Sequence, residues 1–275
     1  MRSGLAAVAL IVVSIAMGGA SSWAGEVLSV KGHVLKWPAA SAGRAPVVTF
    51  ALLSEPYAFP RHKSTLSPEN CGAMRPFSDI VATSVGVSVQ MAYEELRAAM
   101  AAWEEVAGIR FARVSEADHP QLLFGATDGA NGPAFANLSI SDAHGLNPAA
   151  KGLGAQVAGS LVDGIAATKI EQVIPIEKAY VCLNPKSAWK VGFDGNLRIY
   201  DLRYTFTHEI GHAIGLDHSG SSGSIMGYRY DERVRTLQPS DISSAQLLYG
   251  TVLSKDIDIP AEVTWGAASG HAPRN

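Results

Sequence analysis

Three histidines stand at metal-ligand spacing in the stretch THEIGHAIGLDHSG, residues 207–220. If this stretch is helical, His208 and His212 project from one face, because residues four apart lie one above the other, and both imidazoles can reach one ion. Gly215 permits a sharp end to the helix, since it has no Cβ, and the turn would bring His218 back as a third ligand. The spacing therefore predicts one zinc ion held by three imidazole nitrogens.

Glu209 borders the same predicted site and is expected to be a base, not a ligand. A catalytic zinc keeps one position open for water, and a carboxylate beside it can take the proton of that water as it attacks a carbonyl carbon. The same carboxylate can return the proton to the leaving amine. An isolated HExxH also arises by chance on surface helices, but chance rarely adds Gly215, His218 and a downstream methionine in register. The predicted chemistry is hydrolysis of a peptide bond.

Met226 and Tyr228 follow the third histidine in the segment SIMGYRY. Met226 is expected to be buried, either as an ordinary core residue or as an apolar floor beneath the metal ligands. Tyr228 is either a packed or substrate-contacting ring, which we favour, or a hydroxyl that faces the metal. A closed, structural zinc site would need a fourth ligand, and Tyr228 and Asp217 are the nearest candidates. Asp217 is expected instead to contact the backbone or a metal ligand.

Three helices are predicted around this site from periodicity and capping residues. The first ends at Gly108 and is amphipathic, because its apolar residues recur at spacings of three and four: Tyr93, Leu96, Met100, Trp103 and Ala107. The second covers residues 202–215, with Asp201 as a candidate N-cap. The third lies in PSDISSAQLLYG, residues 239–250, and begins near Ser240 or Asp241.

Short apolar runs predict the strands. They are VVTFALL (47–53), IRFARV (109–114), QLLFGAT (121–127), KAYVCL (178–183) and, in a region dominated by small residues, GLGAQVAG (152–159). The order strand, helix, strand, strand through residue 127 predicts a mixed sheet with a helix packed on it. Residues 25–44 show no periodicity and are expected to be linker-like, and residues 54–80 are expected to form a long loop.

The first 24 residues have the three regions of a secretory signal: Arg2, an apolar run over 5–17, and small residues up to Ala24, after which we predict cleavage. The apolar run is shorter than the roughly 20 residues that a spanning helix needs, so no stable membrane insertion is expected after cleavage. An extracellular or periplasmic location follows. The net charge of -3 gives no broad attraction to nucleic acid, and 275 residues suit one domain, expected to be a monomer.

Cys71 and Cys182 are the two cysteines of the chain. An exported protein meets an oxidising compartment, so a disulfide between them is the first prediction. The alternatives are two buried thiols, or a Cys71 thiolate that caps the metal and keeps the protein latent. The disulfide is favoured over the cap because Cys71 lies after the first predicted strand, not before the domain.

The pattern HExxHxxGxxH followed by Met226 resembles the metzincin signature, and Ser219, directly after His218, resembles the matrixins. Three further stretches are similar to the matrixin peptidase domain in order and spacing: AYEELRAAMAAWEEVAGIRFARV, QLLFG and LQPSDISSAQLLYG. The resemblance covers roughly residues 45–250. It implies a matrixin-like zinc peptidase domain over 45–252 and leaves 253–275 as a C-terminal tail.

The resemblance implies an α+β metzincin fold, with a twisted, mostly parallel sheet, an antiparallel edge strand, about three helices, and HExxH on the active-site helix. Extended peptide or protein substrate would add to that edge by backbone hydrogen bonds, and residues 153–158 are the candidate edge. Tyr204, four residues before His208, would shape the primary specificity pocket. Its bulk predicts a shallow pocket.

Departures from the matrixin pattern bear on cofactors and subgroup. Matrixins carry a second, structural zinc and calcium ions before the active-site helix, whereas Gln156 and Tyr180 stand here where imidazoles would be expected. We therefore expect one catalytic zinc and no structural zinc. Asp and Asn side chains between 128 and 201 could hold calcium, although no loop there has a recognisable spacing. Tyr228, two residues after Met226, resembles the serralysins and astacins, in which such a tyrosine can approach the zinc.

Two classes of function fit these residues. The leading prediction is a secreted zinc endopeptidase that acts on protein substrates. The alternative is a non-catalytic secreted module whose metal site serves stability or the binding of a partner. Glu209 favours the enzyme, since a binding module has no need of a carboxylate beside an open zinc position.

Overall fold

The computed structural model describes residues 26–30, 32–41, 43–58, 65–66, 70–127, 132–140, 173–220 and 223–252. The helices are α1 (Val89–Val106), α2 (Leu202–Ala213) and α3 (Pro239–Tyr249), with short 3-10 helices at Phe77–Val81 and Glu116–Asp118. The strands are β1 (Ser29–Val30), β2 (His33–Lys36), β3 (Val47–Leu52), β4 (Tyr57–Ala58), β5 (Thr65–Leu66), β6 (Ala73–Met74), β7 (Arg110–Arg113), β8 (Leu122–Ala126), β9 (Ala134–Ile140), β10 (Val173–Leu183), β11 (Trp189–Lys190) and β12 (Tyr200–Asp201). None of the helices in these ranges is both long and apolar enough to cross a bilayer.

Capping residues and apolar periodicity set the three helices, which confirms the prediction. α1 begins after Ser88, whose hydroxyl caps it, and buries its apolar face. α2 begins after Asp201, whose carboxylate accepts a hydrogen bond from the Tyr204 N–H at 2.8 Å. α3 has Pro239 in its first turn, where the missing N–H would have no helical partner. α2 ends at Ala213, slightly earlier than predicted.

The main sheet is mostly parallel and has an antiparallel strand at one edge. Its order is β1-β2-β10-β8-β3-β7, and its parallel neighbours are β2 and β10, β10 and β8, β8 and β3, and β3 and β7. β9 runs antiparallel to β10 and pairs on its other side with β5. This is the architecture that the metzincin resemblance predicts. The candidate edge at 153–158 lies outside the described residues, and the described antiparallel edge is β9.

Residues 26–30 and 32–37, called here the N-terminal hairpin, contain two strands where the sequence predicts a linker-like segment. β1 and β2 pair antiparallel, and β2 runs parallel beside the first residues of β10. Trp37, directly after β2, is buried, with 1% of its surface exposed. Strands of two and four residues are too short to show a clear period of two. These residues are therefore part of the sheet.

Helices α1 and α2 pack together on one face of the sheet, where the largest apolar cluster lies. Trp103 of α1 is fully buried, and its indole N–H donates a hydrogen bond to the Thr207 carbonyl of α2 at 3.0 Å. A second cluster includes Ala51, Leu123 and Tyr180, which alternate along their strands with residues of the first cluster. Since alternate residues point to opposite faces, this cluster covers the other face of the sheet.

Cys71 and Cys182 are joined by a disulfide within the second cluster, with their Cα atoms 5.8 Å apart. Cys182 lies in β10, and Cys71 lies just before β6, in the segment that the sequence predicts to be a loop. Both residues are fully buried. The bond therefore ties this segment to the strand beside β9, and Cys71 is not available to cap a metal.

Removal of the disulfide is expected to lower the free energy of unfolding by about 2–5 kcal/mol, because a cross-link across a long loop restricts the unfolded chain. The loop here spans 111 residues. Urea unfolding of the oxidised protein and of Cys71→Ala/Cys182→Ala would measure the difference. As a control, the double variant is unfolded with and without reductant, and its free energy of unfolding should be the same in both conditions. Equal stability of the oxidised protein and the double variant would contradict the prediction.

Candidate metal centre

His208 and His212 project from one face of α2 because they are one helical turn apart, and their ring centroids lie 4.7 Å apart. Each Nδ1 atom faces a backbone carbonyl: that of Ile225 at 2.7 Å for His208, and that of Leu216 at 2.9 Å for His212. A carbonyl only accepts hydrogen bonds, so each Nδ1 carries the ring proton and each Nε2 keeps a lone pair. Both rings therefore present a metal-binding nitrogen.

The turn after α2 brings His218 to the same point. Gly215 has a φ of +97°, and a Cβ at this position would clash with the carbonyl oxygen of Leu35. The chain reverses there, and the Nε2 of His218 lies 3.3 Å from the Nε2 of His212. The Nε2 of His212 is itself 3.1 Å from that of His208. The structure thus brings together all three histidines singled out in the sequence.

These three nitrogens fit a zinc ion. Around a tetrahedral ion with Zn–N distances of about 2.0–2.1 Å, neighbouring nitrogens lie about 3.3–3.4 Å apart. The two distances found are 3.1 and 3.3 Å. Burial, together with the two other imidazoles, holds the pKa of His212 well below its usual value, and burial and the neighbouring His208 lower the pKa of His218 to about 4. The rings are neutral at pH 7, which is the form that binds a metal.

Within the part of the chain that the structure describes, these histidines are the one group of three His, Cys, Asp or Glu side chains that could share an ion. Tyr180, which stands where a structural zinc would need an imidazole, is buried in the second cluster and stacks with Tyr57 at 6.0 Å. Gln156 and half of the Asp and Asn residues considered for calcium lie outside the described ranges. A calcium site therefore stays a prediction.

Glu209 lines the same cavity as the three histidines, and only 6% of its surface is exposed. Burial raises the pKa of its carboxyl group to about 8, because the charged form loses hydration. A cation held by the three imidazoles would oppose this shift, since a nearby positive charge favours the carboxylate. The carboxyl group can therefore take up and release a proton near neutral pH.

Met226 packs against α2 at Gly211, where a Cβ would clash with the methionine sulfur. It is 2% exposed, and it thus forms an apolar floor for the helix between His208 and His212. Asp241 of α3 holds the preceding backbone, because its carboxylate accepts hydrogen bonds from the N–H groups of Ile225 at 3.0 Å and Met226 at 3.2 Å. The Ile225 carbonyl in turn orients His208.

Asp241 is a supporting residue that the sequence reveals only as a helix-start residue. Asp241 stands three residues after the N-cap residue Gln238, which is the spacing of a capping box. Its carboxylate accepts a hydrogen bond from the Gln238 N–H at 2.8 Å. The contact to Ile225 has no local signal, because the two residues are 16 positions apart. Its role in orienting His208 therefore follows from the tertiary structure alone.

Tyr228 and Asp217 both contact His218. The Tyr228 ring stacks on the His218 ring, with centroids 4.4 Å apart and planes inclined by 18°, while 64% of the tyrosine is exposed. This is the packing arrangement favoured over a hydroxyl that faces the metal. Asp217 accepts a hydrogen bond from the His218 backbone N–H at 2.7 Å and does not join the three converging residues. A fourth ligand from Asp217 thus has no support in this geometry.

A cavity of about 630 Å³ opens over the three histidines and Glu209. β9 forms one wall through Ala134, Phe135, Ala136 and Leu138. Tyr204, one turn of α2 before His208, is 4% exposed, and its ring meets the ring of Tyr230 edge to face, with centroids 4.8 Å apart. Both rings line the cavity here. That they make the specificity pocket shallow stays a prediction.

Comparison with known proteins gives a family match and a similarity to a curated protein. The family model described as Matrixin matches residues 79–250, which include both α1 and the whole histidine segment. Human matrix metalloproteinase-26 is 48% identical over 61 residues, which is 21% of this chain and 23% of that protein. The chain thus matches less than a quarter of the length of this relative. The family match, in contrast, covers more than half of the chain.

Proposed function

The chain belongs to the matrixin family, and on this premise we propose that it is an exported zinc endopeptidase that hydrolyses peptide bonds within extended segments of protein substrates. The observation that carries the proposal is the convergence of three imidazole nitrogens beside the buried Glu209. A cleft with a strand as one wall lies directly over these groups. The arrangement supplies a metal site, a base and room for a peptide.

Each residue has a distinct part in the proposed reaction. Zinc, when bound by His208, His212 and His218, would polarise the scissile carbonyl and make water a stronger nucleophile. Glu209 accepts the proton of the attacking water and donates it to the leaving nitrogen. Its pKa, raised by burial, suits both directions of transfer. The hydrogen bond from each Nδ1 to a carbonyl holds His208 and His212 in the ring orientation and tautomer that leave Nε2 free.

The β9 strand supports binding of an extended substrate segment. Its residues Ala134 and Ala136 line the cavity, and the pairing of β9 with β5 involves only Leu138 and Ser139 in the described part of the chain. A peptide beside the first half of β9 would add one strand to the sheet by backbone hydrogen bonds. Such binding depends little on side chains, so sequence preference would come from pockets such as the one beside Tyr204.

A non-catalytic zinc-binding module is the second candidate, and Glu209 weighs against it. Burial of a carboxyl group costs free energy, and a metal site that served only stability would gain nothing from this carboxyl group at the cavity wall. Cleavage of a quenched peptide library by the protein without residues 1–24, with and without chelator, tests the proposal. Chelator-sensitive cleavage supports the peptidase. Binding of one zinc per chain without cleavage of any peptide would favour the module.

Tyr204→Leu is expected to shift specificity toward larger side chains at the pocket, because the variant removes the ring that fills it. We expect the ratio of kcat/KM for a Phe-containing peptide over an Ala-containing peptide to rise about tenfold, the effect of a modest change in apolar pocket volume. Tyr200→Leu is the matched control, since Tyr200 also lines the cavity and contacts Tyr230. An equal shift in both variants, or none in Tyr204→Leu, would contradict the assignment.

A further inference from the structure

We propose that the N-terminal hairpin, residues 26–30 and 32–37, is a positioning element of the metal centre that holds the turn carrying His218. The hairpin lies upstream of residues 79–250, to which the family match is confined. Its effect on catalysis rests on the proposed peptidase function, whereas its effect on zinc binding does not.

The hairpin contacts the C-terminal end of α2. The last carbonyl groups of a helix have no partner within it and must be satisfied elsewhere. The Ala213 carbonyl accepts a hydrogen bond from the Trp37 indole N–H at 3.0 Å, and the Gly215 carbonyl accepts from the Leu28 N–H at 2.8 Å. The Ile214 carbonyl between them accepts from the Tyr249 hydroxyl, which itself accepts from the Trp37 backbone N–H. All three carbonyls are thus linked to the hairpin, directly or through Tyr249.

The hairpin then follows the turn past His218. Val27 and Leu216 form an antiparallel bridge, and the Asp217 N–H donates to the Glu26 carbonyl at 3.2 Å. Beyond His218, the Gly220 N–H donates to the Glu26 carboxylate at 3.1 Å. The backbone is therefore held on both sides of the third ligand. Leu216 also supplies the carbonyl that orients His212, so the same bridge affects two ligands.

Close packing makes this contact rigid. A Cβ on Gly215 would clash with the Leu35 carbonyl, so the turn lies directly against β2. β2 is in turn fixed to β10 of the main sheet, with Leu35 opposite Ile174. Leu28 lines the cavity itself. The hairpin thus connects the rigid sheet to the turn, and an ordered turn avoids paying the conformational entropy of ordering His218 when the metal binds.

Trp37→Phe tests the inference, because it keeps the aromatic packing and removes the N–H donated to Ala213. Loss of an outer contact to a metal site typically weakens metal binding by about 10–100-fold, and we expect about a tenfold higher zinc Kd, measured by competition with a chelator. Trp189→Phe is the matched control: Trp189 is also buried and donates its indole N–H at 3.0 Å to a carbonyl, that of Asn184, which lies outside the turn. Its zinc Kd should equal that of the wild type.

A second pair of variants keeps the inference testable if Trp37→Phe does not fold. Glu26→Ala removes the acceptor for the Gly220 N–H and should raise the zinc Kd. Glu26→Gln keeps an oxygen acceptor, so its zinc Kd should be close to that of the wild type. Equal zinc Kd values for Trp37→Phe and Trp189→Phe, or for all Glu26 variants and the wild type, would overturn the inference. A wild type that binds zinc but cleaves no peptide would defeat the proposed function alone, and the zinc comparison would still decide the role of the hairpin.

Discussion

Glu209→Gln is expected to lower kcat/KM about 1,000-fold while zinc binding is retained, because a positioned acid–base group contributes roughly 100- to 10,000-fold to such reactions. Gln has nearly the same shape as Glu but cannot accept the proton of the attacking water. The side chain is not one of the three converging ligands, so the metal site should stay intact. Kinetics on a quenched peptide, with zinc content measured on the same sample, would give both quantities.

Asp217→Asn is the control for this variant. Asp217 also lines the cavity and lies next to a predicted ligand, but it accepts a hydrogen bond from the His218 backbone N–H, which the oxygen of Asn can also accept. We expect its kcat/KM to stay within a few-fold of the wild type. A Glu209→Gln protein with wild-type kcat/KM would remove Glu209 as the base. A large loss of kcat/KM in Asp217→Asn would indicate that the Asp217 carboxylate takes part in the reaction.

His218→Ala is expected to abolish peptide cleavage and to weaken zinc binding more than about 100-fold, because loss of a direct ligand should exceed the 10–100-fold cost of losing an outer contact. Two imidazoles on α2 would remain, with their Nε2 atoms 3.1 Å apart. The ion would then be bound by two protein nitrogens and would lack the third. Zinc Kd by chelator competition and cleavage of the same quenched peptide would measure the two effects. In the wild type, chelator should abolish cleavage and added zinc should restore it.

His119→Asn is the matched control for His218→Ala. His119 is an exposed histidine with a φ of +53°, a conformation that Asn adopts more readily than Ala. Zinc Kd and cleavage should be unchanged in this variant. Undiminished zinc binding by His218→Ala would mean that the third ligand lies elsewhere in the chain.

The helices and the convergence of His208 and His212 on one helix face could be predicted, because the sequence signals for both are local. Asp201 caps α2 through a hydrogen bond to a residue three positions on, and His208 and His212 meet across a single helical turn. The sequence also predicts the need for a sharp turn at Gly215, since a positive φ favours glycine. The pairing of Cys71 with Cys182 was predictable because the chain offers no other partner.

Other parts of the site carried no readable signal. β1 and β2 are too short for periodicity, so the hairpin that holds the His218 turn resembles a linker in the sequence. The antiparallel strand that walls the cavity is Ala134–Ile140, in a region rich in small and polar residues where alternation is weak. Asp241 shows a capping pattern but not its hydrogen bond to Ile225.

The sequence was enough to predict which residues could bind a metal, which one could act as the base, and the helix that presents them, because those relations extend over one or two helical turns. The contacts of the turn that carries His218, and the strand that lines the cleft, depend instead on the tertiary structure. Trp37 reaches the Ala213 carbonyl across 176 positions of sequence, and β9 meets the cavity only after pairing with β10. Such contacts depend on how the sheet assembles, since no local preference brings distant segments together.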